Sequence, residues 1–389
     1  MPLKVNAAFQ GWCSGFDKAG SASEPPRMTE TEACLALNMV PGVGPVRLRR
    51  LLEVFETPER VLLARASELQ TVDGVGREVA EAIATWERHV DLAAELARVK
   101  EFGATVISQA SAEYPRALRE IHNPPIVLYV WGTLTARDHQ AISVVGSRKT
   151  SHYGAECAKK LSYQLAYAGL TVVSGLARGI DTAAHQGALA AQGRTVAVIG
   201  SGLMDLYPPE NAGLAEKIAA SGAVVSEFPM TFPPSRETFP YRNRIVAGWG
   251  CGLLVVEAGL KSGALITAGQ ALEQGRLVYA VPGQIDRPTA AGSNRLIQQG
   301  AKLVTGANDI LDDLHALFPE PRKTSASTET STLSAEEQAV LATIDLSETP
   351  LDDIVTKSGL PMPKVASTLL ALEMKRRVKQ LPGQQFVKL

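Results

Sequence analysis

Six basic residues stand at or beside short turns rich in glycine and serine. Arg148 and Lys149 follow Gly146-Ser147, and Arg178 sits inside Ser174-Gly175-Leu176-Ala177-Arg178-Gly179. Arg242 and Arg244 flank Asn243, and Lys261 precedes Ser262-Gly263. Small residues let a phosphate come close to the backbone, helix N-termini offer N–H donors and a favourable dipole, and a guanidinium grips phosphate oxygens in a fork. The chemistry is therefore anion binding, repeated over several loops. None of these loops is a mononucleotide signature. Gly200-Ser201-Gly202 runs into Leu203-Met204-Asp205, which breaks G-x-G-x-x-G, and neither the P-loop nor the G-x-S-x-G elbow occurs. Several cationic loops without a dominant one suit a ligand that repeats its phosphates, such as a single strand of nucleic acid. For any one arginine alone, a surface salt bridge or a helix cap is the alternative.

The acidic residues suggest support for that edge. Asp181 and His185 are four apart, and with Ser174 they could form a triad. The reading preferred here puts Asp181 in the first turn of a helix and His185 as a buried polar anchor, since a triad is defined by geometry. Glu227 and Glu257 each follow an apolar run; a catalytic carboxylate pair is the alternative to the preferred reading, in which they bond backbone donors or rim arginines. The four cysteines, Cys13, Cys34, Cys157 and Cys251, are far apart and contain no C-x-x-C pair. No catalytic residue, metal or cofactor is expected.

The elements that position these loops are legible as short Val/Ile/Leu runs alternating with helical spacing. Strands are expected at 126–131, 141–146, 171–174, 195–200, 223–226, 252–257 and 277–281. Helices are expected at 152–168, 180–192, 210–220, 263–274 and 292–299. Near-continuous apolar strands separated by helices mean a mostly parallel sheet covered on both faces. The expected fold is an α/β, extended Rossmann-like doubly wound domain over 109–318, whose ligands bind beyond the carboxyl ends of the strands. All the cationic loops above fall there.

Before it, 29–108 reads as helical. The Gly42-Val43-Gly44 turn recurs 32 residues later as Gly74-Val75-Gly76, each between an apolar helix end and a new helix. This resembles a tandem helix-hairpin-helix, in which Gly42, Gly44, Gly74 and Gly76 would open backbone N–H groups to a phosphate. The alternative is a plain hairpin using glycine for positive φ. Residues 1–28 read as a loose leader without a signal peptide's basic start and apolar core, and 319–334 as a polar linker. Residues 335–389 read as a winged helix. Lys364, Lys375, Arg376, Arg377, Lys379 and Lys388 face Glu373 alone in its second half, while its first half is acidic. The exposed candidates on its recognition helix, Ala366, Ser367 and Thr368, are small, so a protein-interaction wing is at least as good a reading as a base reader.

With 39 Lys and Arg against 40 Asp and Glu, the net charge of -1 excludes a wholly basic surface but not a local basic groove. No apolar run reaches the ~18 residues of a membrane helix, so a soluble cytoplasmic protein is expected.

Four stretches, in this order and spacing, resemble the DNA-processing protein A (DprA/Smf) family of bacteria. They are Val144–Arg148, Ser174–His185, Phe239–Gly248, and Ser262–Ala268 with Ala280-Val281-Pro282-Gly283. The resemblance covers most of 30–389. It implies an extended Rossmann fold that binds single-stranded DNA and passes it to the RecA recombinase in natural transformation, and it implies a homodimer. It also implies that Arg148, Arg178, Arg242, Asn243 and Arg244 line the DNA pocket; Lys261 stands at a position that varies. A SAM-like helical domain and a winged-helix domain would flank the centre. Two other readings compete. One is a nucleotide or sugar-phosphate hydrolase of the lysine-decarboxylase-like Rossmann type, whose Pro-Gly-Gly-x-Gly-Thr loop is missing at Pro282-Gly283-Gln284-Ile285. The other is a transcription factor acting through the wing.

Overall fold

The structure, a computed structural model, describes residues 28–317, 334–344, 349–374, 377–381 and 385–388. The expected leader and linker lie outside these residues, apart from Met28 and Ser334. So do Lys375 and Arg376 of the wing.

The first unit, up to Phe318, is built on a nine-stranded sheet. Its strands are β1 (Thr105–Ser108), β2 (Val127–Gly132), β3 (Ala141–Val145), β4 (Thr171–Ser174), β5 (Thr195–Val198), β6 (Ala223–Ser226), β7 (Gly252–Val255), β8 (Leu277–Ala280) and β9 (Lys302–Leu303). They lie in the order β1-β2-β6-β5-β4-β3-β7-β8-β9. From β6 to β9 all pairings are parallel; β2 joins β6, and β1 joins β2, antiparallel. Every residue of β3, β4, β5, β6 and β7 is buried. That is why these strands read as unbroken apolar runs rather than as an alternation.

Seven helices precede β3: α1 (Glu30–Met39), α2 (Pro45–Phe55), α3 (Pro58–Leu63), α4 (Ala66–Leu69), α5 (Arg77–Ala84), α6 (Leu92–Phe102) and α7 (Arg116–Arg119). Seven more follow: α8 (His152–Tyr167), α9 (Ile180–Ala190), α10 (Ala212–Ser221), α11 (Thr238–Trp249), α12 (Gly263–Glu273), α13 (Ala291–Gln298) and α14 (Asn308–Leu317). Alternate residues of the strands feed opposite layers. Ile142, Val144, Leu254 and Val256 pack with Leu161, Leu165 and Ala184 of α8 and α9. Val145, Leu253 and Val255 pack with Ile245, Trp249 and Ala268 of α11 and α12.

The N-terminal helices do not stand apart. Leu35, Leu37, Leu51 and Ile83 share one core with Val127, Tyr129, Ile199 and Val224 of the sheet. Polar contacts reinforce the join. The buried Glu95 carboxylate of α6 accepts from the Tyr129 hydroxyl (2.9 Å) and the Met230 backbone N–H (2.7 Å), and pairs with Arg98 (2.8 Å). Asn38 of α1 donates to the Glu227 carbonyl at 3.0 Å.

The sequence reading did not place α7, α14, β9 or the short strand Thr349–Pro350, and two further stretches differ from it. Thr105–Ser108, read as part of the helical segment, is an antiparallel edge strand. Thr238–Trp249, to which the sequence reading gave no helix or strand, is a twelve-residue helix. Pro240 is tolerated because it falls in the first turn, where no intrahelical N–H bond is lost.

In the second unit, α15 (Ala335–Ala342), α16 (Leu351–Ser358) and α17 (Met362–Met374) pack with the sheet β10 (Thr349–Pro350), β11 (Val378–Leu381) and β12 (Gln385–Lys388), ordered β10-β12-β11. Val340, Ile354, Val365, Leu369, Leu372 and Phe386 form its core. Ser334 and Glu337 close a capping box at its start, and Gly359 ends α16 with φ 64°.

Candidate functional site

β3 and β7 are neighbours from which the connections run outward in opposite directions, through β4 to one side and β8 to the other. Ligands of doubly wound sheets bind at such a switch point. A cavity of about 600 Å³ opens there. Gly146, Ser147, Arg148 and Lys149 line it from the loop after β3, Ala177 and Asp181 from β4 and α9, Arg242 and Asn243 from α11, and Lys261, Ser262 and Gly263 from the start of α12.

The rim is cationic and open. Arg148, Lys149 and Lys261 are exposed, and the Arg148 guanidinium lies over the Phe239 ring, 5.0 Å from its centre. Ser147 shapes the turn: its hydroxyl donates to the Lys149 carbonyl (2.9 Å) and accepts from the Lys149 N–H (3.2 Å). Ser262 caps α12, its hydroxyl accepting from the Ala264 N–H at 3.3 Å. Gly179 has φ 79° and lies so close to the Ser147 and Arg148 carbonyls that a Cβ would strike both. It thereby fixes the β4 loop against the β3 loop.

The floor is a buried cation. Arg242 is only 3% exposed. Its guanidinium donates to the Gly175 carbonyl (2.5 Å) and to the Val198 carbonyl, and its Nε donates to Asn243 Oδ1 (3.1 Å). Gly175 is required here, because a Cβ would stand 2.6 Å from the guanidinium nitrogens. Burial, reinforced by Arg148 and opposed by Asp181, pulls Arg242 down to about 10, which still leaves it charged at neutral pH. Burial pushes the Asp181 carboxyl up to about 6, although Arg242, the Ala177 N–H and Arg148 favour its ionised form.

Asp181 is in the first turn of α9 and His185 is a buried polar anchor, so the alternative triad is not assembled. Ser174 is fully buried and its hydroxyl donates to the Val144 carbonyl at 2.6 Å. His185 Nδ1 lies 2.7 Å from Thr195 Oγ1, which itself donates to the Val172 carbonyl; the imidazole N–H therefore donates to Thr195. Burial drops His185 to about 3. Glu227 and Glu257 are both engaged elsewhere. Glu227 forms a buried fork with Arg244 (2.6 and 3.2 Å). Glu257 accepts from the Thr150 hydroxyl (2.5 Å) and the Ser151 N–H (2.8 Å) at the start of α8. Burial alone would raise Glu257; the hydrogen bonds from Thr150, Thr289 and Ser151 outweigh it and hold the carboxyl below its ordinary value.

Of the residues singled out from the sequence, the structure thus gathers Gly146, Ser147, Arg148, Lys149, Arg242, Asn243, Lys261, Ser262 and Gly263 around one cavity. Gly175 and Gly179 hold its walls. It does not bring Ser174 or Arg244 there, since each is buried and bonded away from it. Arg178 stands beside the cavity, bonded to the exposed Glu210 and to the Tyr207 hydroxyl (3.3 Å), with its guanidinium 5.6 Å from the Tyr207 ring centre. Phe239 and Tyr207 contact Arg148 and Arg178 and were not assigned to the site from the sequence. The interleaving of rings with cations in Phe239-Pro240-Tyr241-Arg242-Asn243-Arg244 was the available signal.

The two hairpin turns are clipped together. Gly42 and Gly74 have φ 80° and 79°, and Gly44 and Gly76 are the N-caps of α2 and α5. Arg47 donates to both the Gly42 (2.5 Å) and Gly74 (2.9 Å) carbonyls, and Arg50 pairs with Asp73 at 2.9 Å.

Residues 105–315 match the family described as DNA recombination-mediator protein A, 324–384 the DprA winged helix domain, and 35–85 the SAM-like helix-hairpin-helix tandem. The chain is 36% identical over 386 residues to protein Smf of Synechocystis, covering 90% of this chain and 97% of that one. It is 43% identical over 220 residues to DNA processing protein DprA of Bacillus subtilis, covering 56% of this chain and 74% of that one. The X-ray structure of DNA processing protein A from Streptococcus pneumoniae superposes with a TM-score of 0.66 at 36% identity, over 73% of this chain and 98% of that one. A structure of DNA processing protein A from Helicobacter pylori, described for its single-stranded DNA binding mode, superposes with a TM-score of 0.50 at 25% identity, over 55% of this chain and 96% of that one.

Proposed function

The chain belongs to the DNA-processing protein A (DprA/Smf) family, and from that premise we propose that its central cavity holds the backbone of single-stranded DNA. One observation carries the reading: exposed Arg148, Lys149 and Lys261 ring a cavity floored by the buried Arg242 cation. Phosphates meet Arg148, Lys149 and Lys261 at the rim, the N-terminus of α12 supplies N–H donors, and Arg242 adds a fixed positive field from below. The bases carry no sequence information to this site, because backbone contacts position a strand without reading it. The role proposed is binding without a catalytic step, a reading supported by the structural partners of Ser174, Glu227 and Glu257.

Beyond binding, the proposed role is protection of incoming DNA and its delivery to the RecA recombinase in the cytoplasm during natural transformation, with the protein acting as a homodimer. The similarity to recombination-mediator protein A supports this part. Fluorescence anisotropy with single-stranded and duplex DNA tests the first part. Single strands should bind more tightly, with the log–log salt slope steepening by about 0.7 per phosphate neutralised. A flat salt response would remove the phosphate cavity. RecA-dependent strand exchange on coated single strands, with and without this protein, tests the second.

A further inference from the structure

The loop after β6 and the first turn of α11 carry aromatic rings that the cavity does not use. Phe228 and Phe232 stack with ring centres 5.0 Å apart and planes 23° apart. Phe228 also meets Tyr241 at 6.4 Å and 52°. The Arg244 guanidinium, held by Glu227, lies 4.2 Å from the Tyr241 ring centre and so covers one side of that ring. Tyr241 is nevertheless 40% exposed and Phe232 38% exposed. In a chain with only 5% aromatic residues, three contacting rings at one surface call for an explanation.

Their placement supplies one. β6 runs parallel to β5, β4 and β3, so its loop stands on the same edge of the sheet as the cavity. Tyr241 immediately precedes Arg242 and Asn243, which line that cavity. The loop backbone is fixed at both ends of the cluster. Met230 N–H donates to Glu95, and Gly202 N–H donates to the Phe232 carbonyl at 2.8 Å. Rings held on a fixed backbone stack on a flat ligand at little entropic cost. Arg236 is an exposed cation in the same loop. Flat rings in series beside cations, continuous with a phosphate-binding cavity, are the recognition chemistry of unpaired bases on a charged backbone.

We propose that Phe232 and Tyr241, backed by Phe228, form a base-stacking platform on which a strand leaving the Arg148 cavity lays its next bases. This rests on the reading that the cavity takes single-stranded DNA. The test is anisotropy with three probes: an oligothymidylate of about 4 nucleotides, one of about 16, and an abasic strand of the longer length, sizes that bracket a single binding module. Phe232→Ala and Tyr241→Leu should each weaken the longer oligothymidylate at least about fivefold, the low end of one lost base–aromatic stack. The short oligomer, the abasic strand and the salt slope should be unchanged, and Tyr241→Phe should bind like wild type. Thermal melting controls for the loss of Tyr241 from its Arg244 contact, and Phe232→Ala carries the test if Tyr241→Leu does not fold. Wild-type affinity for the longer oligomer in Phe232→Ala overturns the platform while leaving the cavity reading intact. So does equal weakening on the abasic strand, or loss of a bound protein partner with DNA affinity preserved. Failure of the wild type to bind any of the three probes overturns both readings.

Discussion

Arg148 and Arg242 look alike in the sequence and should fail in opposite ways. Arg148 is exposed, and the contact its guanidinium makes in the structure is with the Phe239 ring at 5.0 Å. Removing an exposed cation–π contact costs about 0.5–1 kcal/mol. In a unit of this size that lowers Tm by no more than about 4 °C. The loss in binding should be larger. A charge-assisted bond to phosphate is worth about 1.5–3 kcal/mol, so Arg148→Ala should weaken single-stranded DNA by about ten- to a hundredfold. The salt slope should fall by about 0.7 if one phosphate is released. Arg148→Lys should restore the slope but only part of the affinity, because an ammonium is a point charge and not a fork. Arg242→Met should instead unfold the protein, costing about 3 kcal/mol or more. It strands the Gly175 and Val198 carbonyls and leaves Asp181 a buried charge without its cation. Anisotropy and thermal melting on the same preparations read both effects. An Arg148→Ala protein that melts more than about 10 °C lower while its folded fraction binds normally would refute the assignment.

Four further outcomes follow from the geometry. Glu210→Gln should raise DNA affinity about two- to fivefold with little change in melting, because it frees the exposed Arg178 from an exposed pair; titration with and without Arg178→Ala checks that the gain runs through Arg178. Affinity should rise as pH falls through about 6, where Asp181 takes up a proton and stops opposing phosphate beside Arg242. Asp181→Asn should flatten that profile. In stability the sign is the reverse of a salt-bridged carboxylate: the folded state holds the Asp181 proton more tightly than the unfolded chain, so its contribution declines as pH rises from about 4 to about 6. Gly179→Ala should lose at least about 2 kcal/mol, read by urea melts, since it combines φ 79° with a collision against the Ser147 carbonyl.

The parallel core was legible because β3, β4, β5, β6 and β7 are buried on both faces, which writes each of them as an apolar run ended by a glycine or a polar turn. The cavity followed from that, since the loops after parallel strands share one edge. The direction an arginine faces did not follow. Arg242 and Arg244 sit on α11 where polarity marks neither side as solvent, and only the carbonyls of Gly175 and Val198 and the Glu227 carboxylate explain their burial. β1 was hidden because it is a four-residue edge next to a long helical stretch; Gly103, with φ 76°, marks the end of α6 and was the clue. The turn repeat was visible, but not the Arg47 clip that links its two copies across 27 residues.

The Glu95 junction bears on how this protein can be divided. A fragment beginning at β1 would keep the sheet and the cationic loops. It would lose the acceptor of the Tyr129 hydroxyl and of the Met230 N–H, and it would bare the Val127 and Ile199 side of the sheet to water. The loop bearing Phe228 and Phe232 would keep its bond from Gly202 but lose the Glu95 anchor at Met230. In this chain, a fragment that keeps those contacts begins at the Thr29 cap of α1.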